Sequence, residues 1–457
     1  MSGISLGLPR ITSLLTSLRS PHLSTPIVHI SGTNGKGSVS SYLCSILLAS
    51  SLRVGRFNSP HLVDEWDCLQ IGGQTIERGV YEKVKRDVSE VDRREEIGAT
   101  SFELLAATAF EVFRRAEPPL ELAIVEVGMG GATDATNVVD SKRTLLSIVT
   151  SIELDHQKFL GDTVREIARV KAGIVKQGGE VVLAMQGHSV VEDVLEEVAN
   201  EMRATVYFAG EGTIVREDAG VDSTSPSPPL VSLPLSPFRQ YPPSTFSSTH
   251  SPIPAHLPLP GSYQLANAAA ATLAAQVLRT SPRILALVPS LSHITDATIR
   301  TGIEATTWPG RLDWIDLPLR SQNRTHRVLV DGAHNPSSAT QLADYLASLP
   351  VHLQPTTLIV GLSAPRSPIS ILTPLLAGSP SIRNIVCVPF AKPESMEWIK
   401  PTSTKDIALA ARSFGGVEVD EFGSVEEALE ALGEGEKVVV AGSLYLAADV
   451  YRLLRRP

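Results

Sequence analysis

Apolar positions recur along the chain with two periods, and the switches between them mark the predicted elements. Residues 10–19 place Ile11, Leu14, Leu15 and Leu18 at helical spacing, which predicts a short amphipathic helix. Residues 27–30 form a short apolar run, the pattern of a buried strand. Behind it, Val39, Tyr42, Leu43, Ile46 and Leu47 fall at i, i+3, i+4, i+7 and i+8, which predicts one apolar helix face packed back on that strand. Further buried-strand runs lie at 54–57, 122–127, 145–152 and 181–185, with helical patterns between them, notably at 102–114. Strand, turn and helix in this order open a parallel α/β domain.

The rhythm breaks over residues 216–260, where Pro and Ser accumulate, as in Ser225-Pro226-Ser227-Pro228-Pro229. That composition predicts a long surface insertion or mobile loop, not a compact domain. An Ala-rich helix follows at about 265–278, and a second α/β section starts near Trp308-Pro309-Gly310-Arg311. Its strand runs are 327–330, 357–360, 384–388 and 437–440. The expected fold class is α/β in two domains, 1–305 and 306–457. The first has a mostly parallel sheet; the second is smaller and Rossmann-like.

Composition narrows the function. A chain of 457 residues can bury two or three full cores, and 43% hydrophobic with 19% charged residues is ordinary globular usage. A net charge of −9 argues against a nucleic-acid partner, so any anionic ligand must be held by local groups. Cys44, Cys68 and Cys387 are scattered without a CxxC pair, which speaks against a disulfide framework or cysteine zinc site and suits a reducing compartment. No apolar run approaches a membrane span, so no membrane partner is expected. Residues 1–30 carry Arg10, Arg19, many Ser and Thr and no acid, faintly like a transit peptide. A glycine-rich loop follows so closely that a cleaved leader would cut into the domain. The cytoplasm is therefore the expected compartment, with the mitochondrion as second choice.

That loop is Gly32-Thr33-Asn34-Gly35-Lys36-Gly37-Ser38. Glycines let backbone N–H groups converge on a phosphate, the following helix N-terminus adds positive potential, and Lys36 supplies a cation. The common P-loop pattern sets Ser or Thr directly after the lysine and a glycine where Ile30 stands; Gly37 intervenes here, so the loop is a variant. Polar clusters then follow predicted strands, where open α/β sheets place ligands. They are Asn58-Ser59-Pro60-His61, Glu126 before Gly128-Met129-Gly130-Gly131, Asp155-His156, and Asp331-Gly332-Ala333-His334-Asn335-Pro336. One such cluster carries little weight, since strand ends are often polar. Four beside a phosphate loop define a site.

Lys171 stands out. Thr163-Val164-Arg165-Glu166 is a capping-box start, and Lys171 shares the apolar face of Val164, Ile167 and Ala168 while Arg165 and Arg169 point elsewhere. A lysine so placed either snorkels past the core edge or faces the site of Glu126 and His156. Glu126 is the natural Mg²⁺ ligand of a nucleotide-dependent enzyme, with Ser59 adding a hydroxyl. His156 either joins them or orders its loop through a hydrogen bond.

Together these motifs resemble the folylpolyglutamate synthase/dihydrofolate synthase family, within the Mur-ligase-like ATP-dependent amide ligases. The likeness runs from Ile4 to Leu446 and rests on the order and spacing of GTNGKGS (32–38), SPHL (59–62), EVGMGGATDATN (126–137), LDH (154–156), KAGIVK (171–176), PGR (309–311) and DGAHNP (331–336). It implies a two-domain Mur-ligase-like fold in which Asn34, Gly35, Lys36, Gly37, Ser38 and Asn267 hold ATP, completed by Arg311, Asp331 and His334. It implies Ser59, Glu126, His156 and Lys171, the last as a carbamate, as ligands of two Mg²⁺ ions, with a monovalent cation as an optional addition. Lys36, Lys171, Asp331 and His334 would be catalytic. Ser5, Leu6, Phe102, Glu103, Thr133, Asp134 and Ala135 would contact the pterin. The chain departs from many members in having Ala132-Thr133 for an Arg-Leu pair, and its 216–260 segment is longer.

The implied reaction joins L-glutamate to 7,8-dihydropteroate with ATP, through an acyl phosphate, in folate biosynthesis by a monomer. Asn34, and Val63-Asp64-Glu65-Trp66-Asp67-Cys68-Leu69 after SPHL, resemble the fungal branch with that activity. Within the family, addition of glutamate to tetrahydrofolates, alone or as a second activity, is the rival. A P-loop kinase or NTPase would show Lys-Ser/Thr and lack DGAHNP. A non-catalytic relative would have lost several of Lys36, Glu126, Lys171 and His334, and all four are present.

Overall fold

The computed structural model describes residues 7–216, 226–242, 250–319, 324–393, 399–433 and 435–455. The apolar run at 27–30 becomes the strand Ile27–Ser31, buried along its whole length, at the middle of a mostly parallel sheet. Its parallel neighbours are Leu122–Glu126 on one side and Thr144–Val149 on the other. Outward from the first lie Val54–Phe57 and the antiparallel strands Leu69–Ile71 and Gln74–Thr75. Outward from the second lie Glu180–Leu183, Thr205–Phe208 and the antiparallel edge Arg239–Tyr241. The chain crosses Ile27–Ser31 in passing from Leu122–Glu126 to Thr144–Val149. A crevice opens at such a reversal, outside the carboxyl ends of the strands.

The helix behind the phosphate loop, Lys36–Ala49, differs from its expected one-faced pattern. Its Ser38, Ser40, Ser41 and Cys44 are buried with the apolar set. The helices Tyr263–Thr280 and Asp296–Glu304 pack on it from outside the sheet, so it has no solvent face to keep polar. Small residues suit such a sandwiched helix, because close approach on several sides leaves no room for long polar chains.

Residues 216–260 also correct the expectation. Among their described residues are the strands Leu230–Leu233 and Ile253–His256, which with Thr213–Arg216 form an antiparallel sheet of three. Val231, Leu233, Leu235, Ile253, Ala255, Leu257 and Leu259 are buried in the same core as the Ala-rich helix. Alternation put these side chains on one face, and the high Pro and Ser content hid it.

From Asp313 onward a separate sheet forms, in the order Asp313–Leu319, Arg324–Val330, Val438–Ala441, Thr357–Val360, Asn384–Cys387, Glu418–Glu421. Only the first pair is antiparallel. The carboxyl end of Arg324–Val330 faces the phosphate loop across the cleft. No described helix is long and apolar enough to cross a membrane.

Candidate active site

The phosphate loop leaves Ile27–Ser31 and is pinned at once: Thr33 N and Asn34 N both donate to Ser151 O, at 2.8 and 3.1 Å. Gly35 caps the helix with φ +88°, a left-handed conformation that glycine adopts without strain. A Cβ there would run into the Asn267 side chain from the Ala-rich helix. Gly37 is closed from the opposite side, since a Cβ would lie 2.5 Å from the Trp308 ring. Trp308 is held in turn by the Arg56 guanidinium, 4.9 Å from its ring centroid. Gly37→Ala must therefore push Trp308 off Arg56 or distort the loop. We expect at least a tenfold loss of ADP affinity by calorimetry and a melting temperature lower by a few degrees, from about 1–3 kcal/mol of overpacking in the native loop.

Lys36 Nζ donates to the loop's own carbonyls, Gly32 O at 3.2 Å and Thr33 O at 3.1 Å, and stands 3.9 Å from Glu126 Oε1. Glu126 is buried at the end of its strand and accepts Asn58 Nδ2 on Oε2 at 2.6 Å. Burial pushes its carboxyl up, against the pull of Lys36, Asn58, Arg311 and Arg56. Ser59 is next to Asn58 in sequence, and its buried Oγ has no hydrogen-bond partner. The unpartnered hydroxyl and the Glu126 carboxylate line one cavity and are both hard oxygen donors. That fits Mg²⁺, which takes few protein oxygens and completes its shell with phosphate and water. Among the described residues no three His, Cys, Asp or Glu side chains cluster so as to hold a metal, so phosphate and water would have to supply most of the shell.

The capping box at Thr163 and Glu166 starts the helix Val164–Ala172 as expected, and Arg165 and Arg169 turn outward to Glu197 and Glu201. Lys171 turns inward. It is 3% exposed, donates to Gly32 O at 2.7 Å, and burial with the nearby Lys36 pushes its amine down to about 7. His156 lies in the same cavity but on a left-handed turn (φ +51°), its side chain 45% exposed and 3.8 Å from Asp155.

The opposite wall comes from the other half of the chain. Asp331 is buried and accepts Leu312 N at 2.8 Å and Ala333 N at 2.7 Å; burial raises its carboxyl and Arg311 opposes the rise. His334 Nδ1 donates to Gly332 O at 2.8 Å, which leaves Nε2 bare, and burial pushes the imidazole down to about 4. Asn34 Nδ2 reaches across to Ser337 Oγ at 3.4 Å. One cavity of about 420 Å³ is lined by Asn34 to Ser38, Ser59, Glu126, His156, Lys171, Asn267, Arg311, Asp331 and His334.

Among the described residues, none of those expected at the pterin is part of that lining. Ser5 and Leu6 lie outside the described residues. Phe102 packs beside Gly128, and Ala135 is buried. Thr133 is exposed, its carbonyl accepting Gly7 N at 3.2 Å. Asp134 is buried within its loop. Its carboxylate is spent on Met129 N (2.9 Å) and on the N–H and hydroxyl of Thr136, whose Oγ1 also meets His29 Nε2 at 2.9 Å, so it shapes the loop. Glu103 caps its helix and accepts Arg10 Nε at 3.0 Å, leaving a buried Oε1 without a partner.

With this geometry in view, residues 30–275 match the Mur ligase middle domain and residues 313–453 the C-terminal domain of dihydrofolate synthetase. The "Probable dihydrofolate synthetase" of Schizosaccharomyces pombe is 34% identical over 456 residues, covering 99% of both chains. The chain belongs to the dihydrofolate synthetase family of Mur-type ligases. The dihydrofolate synthetase of Saccharomyces cerevisiae is 31% identical to this family member, covering 98% of each chain. Among solved structures, the folylpolyglutamate synthase of Mycobacterium tuberculosis complexed with ADP and AMPPCP superposes with a TM-score of 0.76 at 28% identity, covering 99% of this chain and 96% of that one. FolC of E. coli in complex with DHPP and ADP superposes with a TM-score of 0.74 at 25% identity, covering 99% and 94%. The Mur-ligase-like two-domain α/β fold expected from the motifs is therefore the observed one.

Two site residues of this family member had no sequence signal. Arg56 sits in the short run Val54–Phe57 as an ordinary strand residue, yet it is 6% exposed, with its Nε unpartnered. Trp308 was visible only as the start of a section. Both act through contacts between segments far apart in sequence, which periodicity cannot register.

Proposed function

We propose that this ligase joins L-glutamate to 7,8-dihydropteroate, giving 7,8-dihydrofolate, ADP and phosphate in folate biosynthesis. The carrying observation is the convergence on one cavity of a phosphate loop, a carboxylate with a free hydroxyl, a buried lysine and Arg311, Asp331 and His334 from the opposite half. Family membership sets the kinase reading aside.

A carboxylate is a poor electrophile because oxide does not leave. Its oxygen attacks the γ-phosphorus, the bond to ADP breaks, and the acyl phosphate formed has a good leaving group. Glutamate first sheds one ammonium proton to solvent. Its amine then attacks the acyl carbon, the C–O bond to phosphate breaks, and the second amine proton leaves with the phosphate. Lys36 and the loop N–H groups offset charge on the phosphates, with Asn267 fixing Gly35 from behind. Arg311 and Asp331 hold the nucleotide from the second domain, 306–457, against the first, 1–305. His334, neutral with Nε2 bare, accepts a hydrogen bond from the incoming amine and orients it.

Ser59, Glu126 and His156 would hold Mg²⁺, which when bound spreads the negative charge of the transferring phosphoryl group. Lys171 as a carbamate adds two oxygens to that set. Its depressed pKa favours the neutral amine that CO₂ requires: the N–C bond forms and one proton is released. The pterin would lie near Phe102, Glu103 and Thr133, where the free Glu103 oxygen awaits a donor. A monovalent cation, a monomeric state and a cytoplasmic location complete the reading.

ADP release measured with each co-substrate omitted in turn tests it. A ligase requires dihydropteroate and glutamate together. Steady hydrolysis in the absence of either would instead favour an uncoupled NTPase.

A further inference from the structure

The segment after Ser59 is bound to the last helix of the chain, Leu444–Arg455, and not only to its own half. Leu62 packs into the core of the second half. Arg452 Nη2 donates to Val63 O at 3.2 Å, and Asp449, one turn earlier, orients that guanidinium. Arg455 Nη1 donates to Asp64 Oδ2 at 2.9 Å, while its Nη2 lies 3.3 Å from both oxygens of Asp67. Asp67 is only 10% exposed and also accepts Val63 N and Asp64 N, each at 3.0 Å. One carboxylate thus holds the turn together and receives the arginine. Asp67 and Arg455 line the same cavity as Ser59.

A single exposed ion pair adds little, because water competes and side-chain entropy opposes it. Here two arginines one turn apart meet a carbonyl and two carboxylates of one short turn, with an apolar anchor beside them. Such a network restrains position, and position is what a phosphoryl-transfer site depends on. We propose that Arg452 and Arg455 are positioning residues: the carboxy-terminal helix clasps the 59–68 segment, sets Ser59 against Glu126, and closes the two halves over the substrates. Neither arginine touches the reacting atoms.

The proposal uses the ligase reading only for its turnover measurement; backbone amide exchange over residues 59–68 is a readout independent of activity. Three variants of the full chain are compared: Arg455→Glu, Asp64→Arg and the two combined. Arg412→Glu, at the exposed end of the helix Thr404–Arg412 where the arginine pairs with Glu421, controls for charge. Arg455→Glu should lower kcat about tenfold or more, speed exchange across 59–68, and leave ADP affinity within about twofold, since the phosphate loop is untouched. The combined variant should recover most of the kcat and the slow exchange, short of what the helix cap lost with Asp64 costs in both the single and the combined variant. Arg455→Glu with wild-type exchange, or a combined variant no better than the product of the two singles, would overturn the clasp. Should the wild type ligate nothing, the functional reading fails and the exchange data still decide this proposal.

Discussion

The Lys36→Ala protein should bind and fold but not ligate, with kcat/KM down by about 10³ or more. The Lys36 side chain makes two hydrogen bonds, both to its own loop, and stands 3.9 Å from Glu126. Little folding energy rests on it, because the bonds replace ones that water would make, and each is worth about 1 kcal/mol net. Its loss leaves Glu126 less compensated, so the carboxyl moves further toward its neutral form instead of unfolding the strand end. In the reaction the same cation would face phosphate charge that develops in a cleft with little water, where nothing else on the loop carries a positive side chain. Circular dichroism and melting should therefore match wild type within a few degrees. Near-normal turnover would remove the phosphate loop from the mechanism.

Lys171 gives the second large effect, and its signs differ. Lys171→Met should lose activity by about 10² to 10³, and Lys171→Arg should not restore it, because a guanidinium is never the neutral amine that CO₂ needs. Stability should move the other way. An amine lowered from 10.5 to about 7 binds its proton less tightly in the native state than in the unfolded one. With Lys171 as the free amine, before CO₂ adds, the native state therefore loses stability as pH falls from above 10 toward 7, by about 4 kcal/mol. Methionine abolishes that penalty and forfeits the bond to Gly32 O. The variant should thus melt at or above the wild-type temperature at pH 7, and its stability should depend less on pH between 7 and 10. A Lys171→Arg enzyme within twofold of wild-type turnover would contradict the carbamate.

What was legible in the sequence was local. The phosphate loop reads clearly because a buried strand, a glycine turn and a helix follow one another within a few residues. Lys171 reads clearly because a capping box fixes the helix phase, and phase fixes the face. The 216–260 region was misread because its strands bury their side chains against helices that follow them in the chain, Tyr263–Thr280 and Asp296–Glu304, and Pro-rich composition outweighed a short alternation. Asp134 is expected beside the pterin only through the family resemblance; its bonds to Met129 and Thr136, which tie down the loop, have no pattern within the segment to announce them. Arg56, Trp308 and the arginines of the last helix were invisible for a common reason. Each matters through a partner more than 200 residues distant, and no pattern within one segment encodes that pairing.

The two large losses would establish an ATP-dependent site without naming what is joined. The direct test supplies the purified protein with ATP, Mg²⁺ and L-glutamate, and with either 7,8-dihydropteroate or tetrahydrofolate, and follows product by mass. The expected result is 7,8-dihydrofolate from dihydropteroate with one ADP and one phosphate each. Product from tetrahydrofolate alone would contradict it.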